Sequence, residues 1–234
     1  MTDLEIGVIG GVGPAATAEF LSRVVQWTQA ATDQDHANLV VLQHSAIPDR
    51  TDFLLGHSEE DPGPVLAADA RRLRDWGVEA IVVPCNTATA FMRAMSEAVS
   101  IPVIDIIDAA AEDAKARGWS SVGVLATEGT MASGAYARAL DHHGVTAIAP
   151  SPEAQAAITT LIYRDIKAGR PPERVLFDRG VEDVRRQGAE GVILGCTELS
   201  VAAATWQSDP LVLDALDSLA IRTVRLAGCA VRTR

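Results

Sequence analysis

Two cysteines stand out as groups able to do chemistry. The first lies in Ala80-Ile81-Val82-Val83-Pro84-Cys85-Asn86-Thr87-Ala88-Thr89 and the second in Gly191-Val192-Ile193-Leu194-Gly195-Cys196-Thr197-Glu198-Leu199-Ser200. In both, a short apolar run reads as a buried strand, and a helical pattern follows the cysteine. The lead-ins correspond as well, Trp76-Gly77-Val78-Glu79-Ala80 against Gln187-Gly188-Ala189-Glu190-Gly191. A thiol at the same point of two repeated units suggests that the two face each other across one pocket.

One thiol on each side of a bound molecule suits inversion at a carbon that carries an acidic proton. A base must take the proton from one face, and an acid must return one to the other. A thiol serves only if its pKa is brought near the working pH. Each cysteine precedes a helix start, where unpaired N–H groups are expected to favour the thiolate. Asn86, Thr87 and Thr197 add donors beside the cysteines, and the same donors can bind a carboxylate. Glu198 is a candidate proton relay, or simply a first-turn carboxylate favoured by the helix dipole. Either cysteine alone could be a buried small hydrophobe; the repetition argues against that for the pair.

The elements that must position these groups form an α/β pattern. A strand at Glu5-Ile6-Gly7-Val8-Ile9-Gly10 runs into Gly11-Val12-Gly13-Pro14, and a helix is expected over 15–31. The glycine loop could cradle an anion, pack strand against helix, or let backbone approach a small substrate. A dinucleotide site does not fit. Ala16 stands where a third glycine belongs, and the second strand, 38–42, is followed by Gln43 and His44 rather than an acid. Arg50 lies beyond the end of that second strand, where open α/β sheets bind ligands. It could grip a carboxylate bidentately or be a surface arginine paired with Asp49 or Asp52. Helices are expected over 64–76, 87–98 and 108–117, with a further strand at Ile101-Pro102-Val103-Ile104-Asp105.

The pattern then restarts. Ser121-Val122-Gly123-Val124-Leu125-Ala126 echoes the first strand, and Thr127-Glu128-Gly129-Thr130 replaces the glycine loop. Helices are expected over 131–143, 153–167 and 172–187, with a strand over 145–149. Leu211-Val212-Leu213-Asp214 echoes Val103-Ile104-Asp105. The expected fold is two duplicated parallel-sheet α/β sandwich domains, 1–116 and 117–234, related by a pseudo-two-fold with the active site between them. The last helix, 215–228, is expected to pack back on the first half.

Composition bounds the rest. A chain of 234 residues can bury a full core. The net charge of −11, without a basic stripe, argues against nucleic acid. The apolar runs are strand-sized, which argues against a membrane span. The first five residues have no basic region before an apolar run, so a cytoplasmic protein is expected. Three cysteines without a Cys-x-x-Cys pair or matching histidines argue against disulfides and structural zinc. Asp141-His142-His143 reads as a solvated helix end rather than a metal site, and Cys229 as a packing or surface residue.

The two cysteine motifs resemble those of the aspartate/glutamate racemase superfamily, and the cofactor-independent aspartate racemase branch in particular. Gly10-Gly11-Val12-Gly13-Pro14 with Ala16-Thr17 is similar to that branch's first loop. Ile47-Pro48-Asp49-Arg50-Thr51 and Ile162-Tyr163-Arg164-Asp165-Ile166-Lys167-Ala168-Gly169 match its arginine and lysine stretches; 127–133 also fits. The resemblance implies racemisation of an acidic amino acid, aspartate or glutamate, with no pyridoxal phosphate or metal cofactor. Cys85 and Cys196 are then the alternating base and acid. Arg50 and Lys167 bind the side-chain carboxylate, and Asn86, Thr87 and Thr197 bind the α-carboxylate, with Thr130 a further substrate contact. A homodimer is implied. Val12 departs from the methionine that many members carry. Gly10-Gly11 and Glu198 replace the aspartate-serine pair and the histidine of glutamate racemases proper.

Two other readings stay open. One is a related enzyme, a racemase of a modified acidic amino acid or hydantoin, or a maleate isomerase in which a cysteine adds to an alkene. The other is a non-catalytic binder of small carboxylates.

Overall fold

The computed structural model describes residues 4–206 and 209–233. Eight strands form two separate four-stranded parallel sheets. The first contains β1 (Ile6–Gly10), β2 (Leu39–Gln43), β3 (Ala80–Val82) and β4 (Val103–Ile104), in the order β2-β1-β3-β4. The second contains β5 (Ser121–Leu125), β6 (Thr146–Ile148), β7 (Gly191–Leu194) and β8 (Val212–Asp214), in the matching order β6-β5-β7-β8. The strands that read as apolar runs, β1, β3 and β7, are buried along their length, as inner parallel strands covered on both faces must be.

The order reverses between β1 and β3, and again between β5 and β7. Loops leaving neighbouring strands at such a point diverge, and a crevice opens beyond the carboxyl ends. All four strands at these two points carry the motifs singled out above: the glycine loop after β1, Cys85 after β3, Thr127 after β5 and Cys196 after β7.

One face of each sheet contributes to a single apolar core. Ile6 and Val8 of β1 join Val122 and Val124 of β5, together with Phe20 and Val24 of α1 (Pro14–Trp27) and Leu216 and Leu219 of α11 (Ala215–Leu226). Helix α11 packs on α1 and on α5 (Ile106–Ala116). Each remaining face has its own cluster. Ile9 and Ile81 pack under Leu66 and Leu73 of α3 (Pro62–Asp75). Leu125 and Val192 pack under Ile158 of α8 (Pro152–Thr160) and Val184 of α9 (Arg174–Arg186). Each such buried aliphatic side chain contributes about 1.5–3 kcal/mol.

Several boundaries differ from the sequence reading. The stretch after Cys85 is a 3₁₀ turn, Thr87–Phe91, before α4 (Met92–Ala98), rather than one continuous helix. The helix expected over 131–143 is two, α6 (Glu128–Ser133) and α7 (Ala135–His142). They meet at Gly134, whose φ of 66° is left-handed and ends the first. The first helix stops at Trp27, because Thr28 forms an isolated antiparallel bridge with Val231. Helix α8 continues as a π-helical turn, Leu161–Ile166, which delivers Lys167. Two further short helices are α2 (Arg50–Leu54), after β2, and α10 (Thr197–Ala203), after Cys196. Among the described residues, no helix is long and apolar enough to cross a membrane.

Candidate active site

Both cysteines line one small cleft at the two crevices. Beside them lie Asn86, Thr87, Thr127, Thr197 and Glu198, together with Asp49, Arg50, Thr51 and Lys167 and with Val12 from the glycine loop. The cleft holds about 280 Å³ of empty space, its open mouth included. A larger groove elsewhere, lined by Trp27, Arg117, Arg174 and Trp206, contains neither cysteine.

Cys196 is buried and stands at the N-cap of α10. Its thiol donates to Glu198 Oε2 at 3.0 Å. Burial, then the negative charge and hydrogen bond of Glu198, push this thiol well above the usual cysteine range. The expectation of a thiolate favoured by the helix start is therefore corrected for Cys196. Its helix-terminal N–H groups are outweighed by desolvation and a neighbouring carboxylate, and it rests as a neutral thiol.

Glu198 is more than a first-turn carboxylate. It is buried, and it reaches across to the start of α1. A β-carbon on Gly13 would stand 2.8 Å from Glu198 Oε1. Gly13 also has a φ of 113° as the N-cap residue of α1, which no other residue adopts without strain. The glycine loop thus admits a carboxylate from the other half of the chain, at a helix end where the dipole favours negative charge.

Asn86 and Thr87 are held from the second half. Tyr136 Oη donates to Asn86 Oδ1 at 2.6 Å. Thr87 Oγ1 lies 3.1 Å from Thr127 Oγ1 and 2.8 Å from Thr130 Oγ1, and those two are 3.0 Å apart. Thr127 also caps α6. Thr130, expected to touch substrate, is not part of the cleft lining; it stands behind Thr87 and Thr127. Thr127 is the hydroxyl that reaches the cleft.

Arg50 is 9% exposed, so the alternative of a surface arginine fails. Its guanidinium donates to the carbonyls of Ile47 and Pro48, at 3.3 and 3.0 Å. Asp49 instead caps α2, accepting from Thr51 N and Asp52 N. Lys167 Nζ lies 3.9 Å from Asp49 Oδ2 and 4.4 Å from the centre of the Tyr163 ring. Burial pulls the Lys167 ammonium down, but the nearby anions, Glu198 foremost, hold it above its ordinary value. Burial likewise opposes ionisation of Asp49, and the Asp52 N–H and the Lys167 charge keep it below the usual carboxylate range. Two donors in this cleft, Arg50 Nε and Asn86 Nδ2, are buried without a partner. A buried unpaired donor costs about 1–3 kcal/mol, a cost that a bound anion removes.

Asp49, Thr51 and Thr127 lie beside motif residues in the sequence, but residue type alone did not single them out. Cys229 is half-buried against the shared core, away from the cleft. Among the described residues, no group of three or more His, Cys, Asp or Glu side chains is arranged to hold a metal ion.

Comparison with known proteins follows the same residues. The family model for Asp/Glu/Hydantoin racemase matches residues 9–223, which include the glycine loop, both cysteines, Arg50 and Lys167. The chain belongs to the Asp/Glu/hydantoin racemase family. Membership places it among the amino-acid racemases, which are isomerases. It is 27% identical over 223 residues to the broad specificity amino-acid racemase RacX of Bacillus subtilis, covering 94% of this chain and 96% of that one. Picrophilus torridus aspartate racemase superposes with a TM-score of 0.84 at 25% identity, covering 98% of this chain and 96% of its own. PH1733, an aspartate racemase homologue from Pyrococcus horikoshii, gives a TM-score of 0.78 at 27% identity, covering 97% and 100%. The two-sheet α/β architecture of this racemase is the one those neighbours share.

Proposed function

We propose that this racemase interconverts the enantiomers of an acidic amino acid, aspartate first and glutamate alongside it, with two thiols and no cofactor. The observation that carries this reading is the pair of cysteines, from equivalent strand ends of the two sheets, lining one cleft with two buried donors that lack partners.

In the forward direction, the Cys85 thiolate takes the α-proton from one face and the neutral Cys196 thiol gives its proton to the other. Cys85 ends as a thiol and Cys196 as a thiolate. Before the next forward turnover Cys85 gives up a proton to solvent and Cys196 regains one from solvent. Glu198, at 3.0 Å from Cys196, relays that proton inward, and takes the Cys196 proton when Cys196 must act as the base. Asn86, Thr87 and Thr197 hold the α-carboxylate. Their hydrogen bonds accelerate the step to the extent that they strengthen as carbanion charge spreads onto that group. Arg50 and Lys167 take the side-chain carboxylate.

A second reading is supported by the end-to-end similarity to RacX: a racemase of broad specificity, in which the cations merely favour acidic substrates. Asp49 and Glu198 give it weight, since their charges offset Arg50 and Lys167 inside the same cleft. The resemblance also carries a homodimer. Two reduced thiols suit the cytoplasm.

The test is α-carbon exchange in D₂O, with chelator and no added cofactor, on L-aspartate, L-glutamate and a panel of neutral L-amino acids. Deuterium entering aspartate together with D-isomer supports the first reading. Comparable exchange across the neutral panel supports the second. Saturable binding without exchange would replace both by a non-catalytic binder.

A further inference from the structure

The aspartates after β4 and at the end of β8 do not line the cleft, yet the chain repeats them. Asp105 caps α5, its Oδ1 accepting from Ile107 N at 2.8 Å. Asp214 caps α11, its Oδ1 accepting from Leu216 N at 3.0 Å. In each case the same oxygen takes a second bond, from a hydroxyl placed four residues beyond a cysteine. Thr89 Oγ1 donates to Asp105 Oδ1 at 3.0 Å, and Ser200 Oγ to Asp214 Oδ1 at 2.6 Å. Capping needs only the aspartate and the helix N–H. The hydroxyl adds something else: it ties the segment that follows each cysteine to the end of the neighbouring strand.

The second tie is reinforced from the first half of the chain. Arg23 of α1, 7% exposed, donates through Nη1 to Asp214 Oδ2 at 3.0 Å and through Nη2 to the Ser200 carbonyl at 3.2 Å. Glu19 and Asp217 complete its surroundings at 2.6 and 2.7 Å. Among the described residues, Asp105 has no matching ion pair within 4 Å.

We propose that Thr89–Asp105 and Ser200–Asp214 are equivalent positioning devices, one for each thiol, and that Arg23 locks only the second. The proposal rests on the reading of Cys85 and Cys196 as the reacting pair. Thr89, Ser200 and Arg23 touch neither thiol in it; they act through the segments that carry them.

The test is iodoacetamide labelling of the folded protein, with each cysteine followed by peptide mass spectrometry, beside steady-state racemisation. Ser200→Ala is expected to speed labelling of Cys196 about threefold or more over Cys85, and Thr89→Val to do the converse, from loss of one hydrogen bond. Thr89→Ser, which keeps the hydroxyl, restores the original rates. Arg23→Lys keeps the charge without the fork and loosens Cys196 alone. In each loosened variant kcat falls while KM stays within about twofold. Both cysteines and Cys229 speeding together would mean a looser fold and overturn the proposal, as would unchanged labelling of the matching cysteine. Labelling needs no turnover. A crossed labelling pattern without racemisation therefore keeps the positioning devices and removes the racemase reading.

Discussion

The Tyr136 phenol, on α7 of the second half, donates to the Asn86 side-chain carbonyl at 2.6 Å, beside Cys85 of the first half. Tyr136 is itself 3% exposed. The bond fixes which end of the Asn86 amide is spent on the protein. Nδ2 is left over, buried and unpartnered. Tyr136→Phe leaves Asn86 Oδ1 without that donor. The expected result is a stability loss of about 1–2 kcal/mol in urea unfolding and a fall of about tenfold in kcat/KM for aspartate. An unchanged kcat/KM would take Asn86 out of substrate binding.

Cys85→Ala and Cys196→Ala are each expected to lose racemisation by about 10³-fold or more, the scale of a lost acid or base. Both variants should keep the parent circular dichroism spectrum, since each swaps one small buried side chain for another. If either retains near-full activity, the two-thiol mechanism is wrong.

Glu198 raises the Cys196 thiol both by charge and by accepting its hydrogen bond. Glu198→Gln removes the charge, so the pH midpoint of Cys196 alkylation should move down. Stability has a matching sign. A thiol held above its unfolded value keeps its proton longer in the folded chain. Stability is therefore lost as pH rises from the ordinary thiol range through the raised folded value. The variant should lose less between neutral and alkaline pH, measured as the change in urea midpoint.

Arg50→Ala should lower kcat/KM for aspartate by about 10- to 100-fold, the scale of hydrogen bonds to a charged group. Its effect on alanine should be slight. Equal losses on both substrates would remove Arg50 from side-chain recognition. Lys167→Met is expected to follow the same pattern, more weakly, because Lys167 is a single point charge rather than a fork.

The duplication was legible because strand runs and their exits are local. Ile81-Val82-Val83-Pro84-Cys85 and Val192-Ile193-Leu194-Gly195-Cys196 announce a strand and its end without help from elsewhere in the chain. Even the echo of Asp105 by Asp214 was visible, though not its use. What stayed hidden depends on contacts between distant segments. Nothing near Gly13 says that the Glu198 carboxylate comes to rest against it. The position of Cys196 before a helix suggested a thiolate; only burial and the orientation of Glu198 reverse that. Arg50 reads as a surface residue by type, and its burial follows from packing that no local pattern encodes. Thr127 and Thr130 carry the same side chain three residues apart. Which one reaches the cleft depends on where α6 begins.

Glu198 stands two residues past Cys196, and at the same distance past Cys85 stands Thr87. The two thiols are thus chemically unequal, while the two enantiomers in water have the same free energy. An enzyme that only interconverts them must have identical kcat/KM in both directions, whatever its side chains. The inequality can appear only in kcat and KM separately, changed by the same factor. One enantiomer is then held more tightly and turned over more slowly, and the other is released more readily and turned over faster.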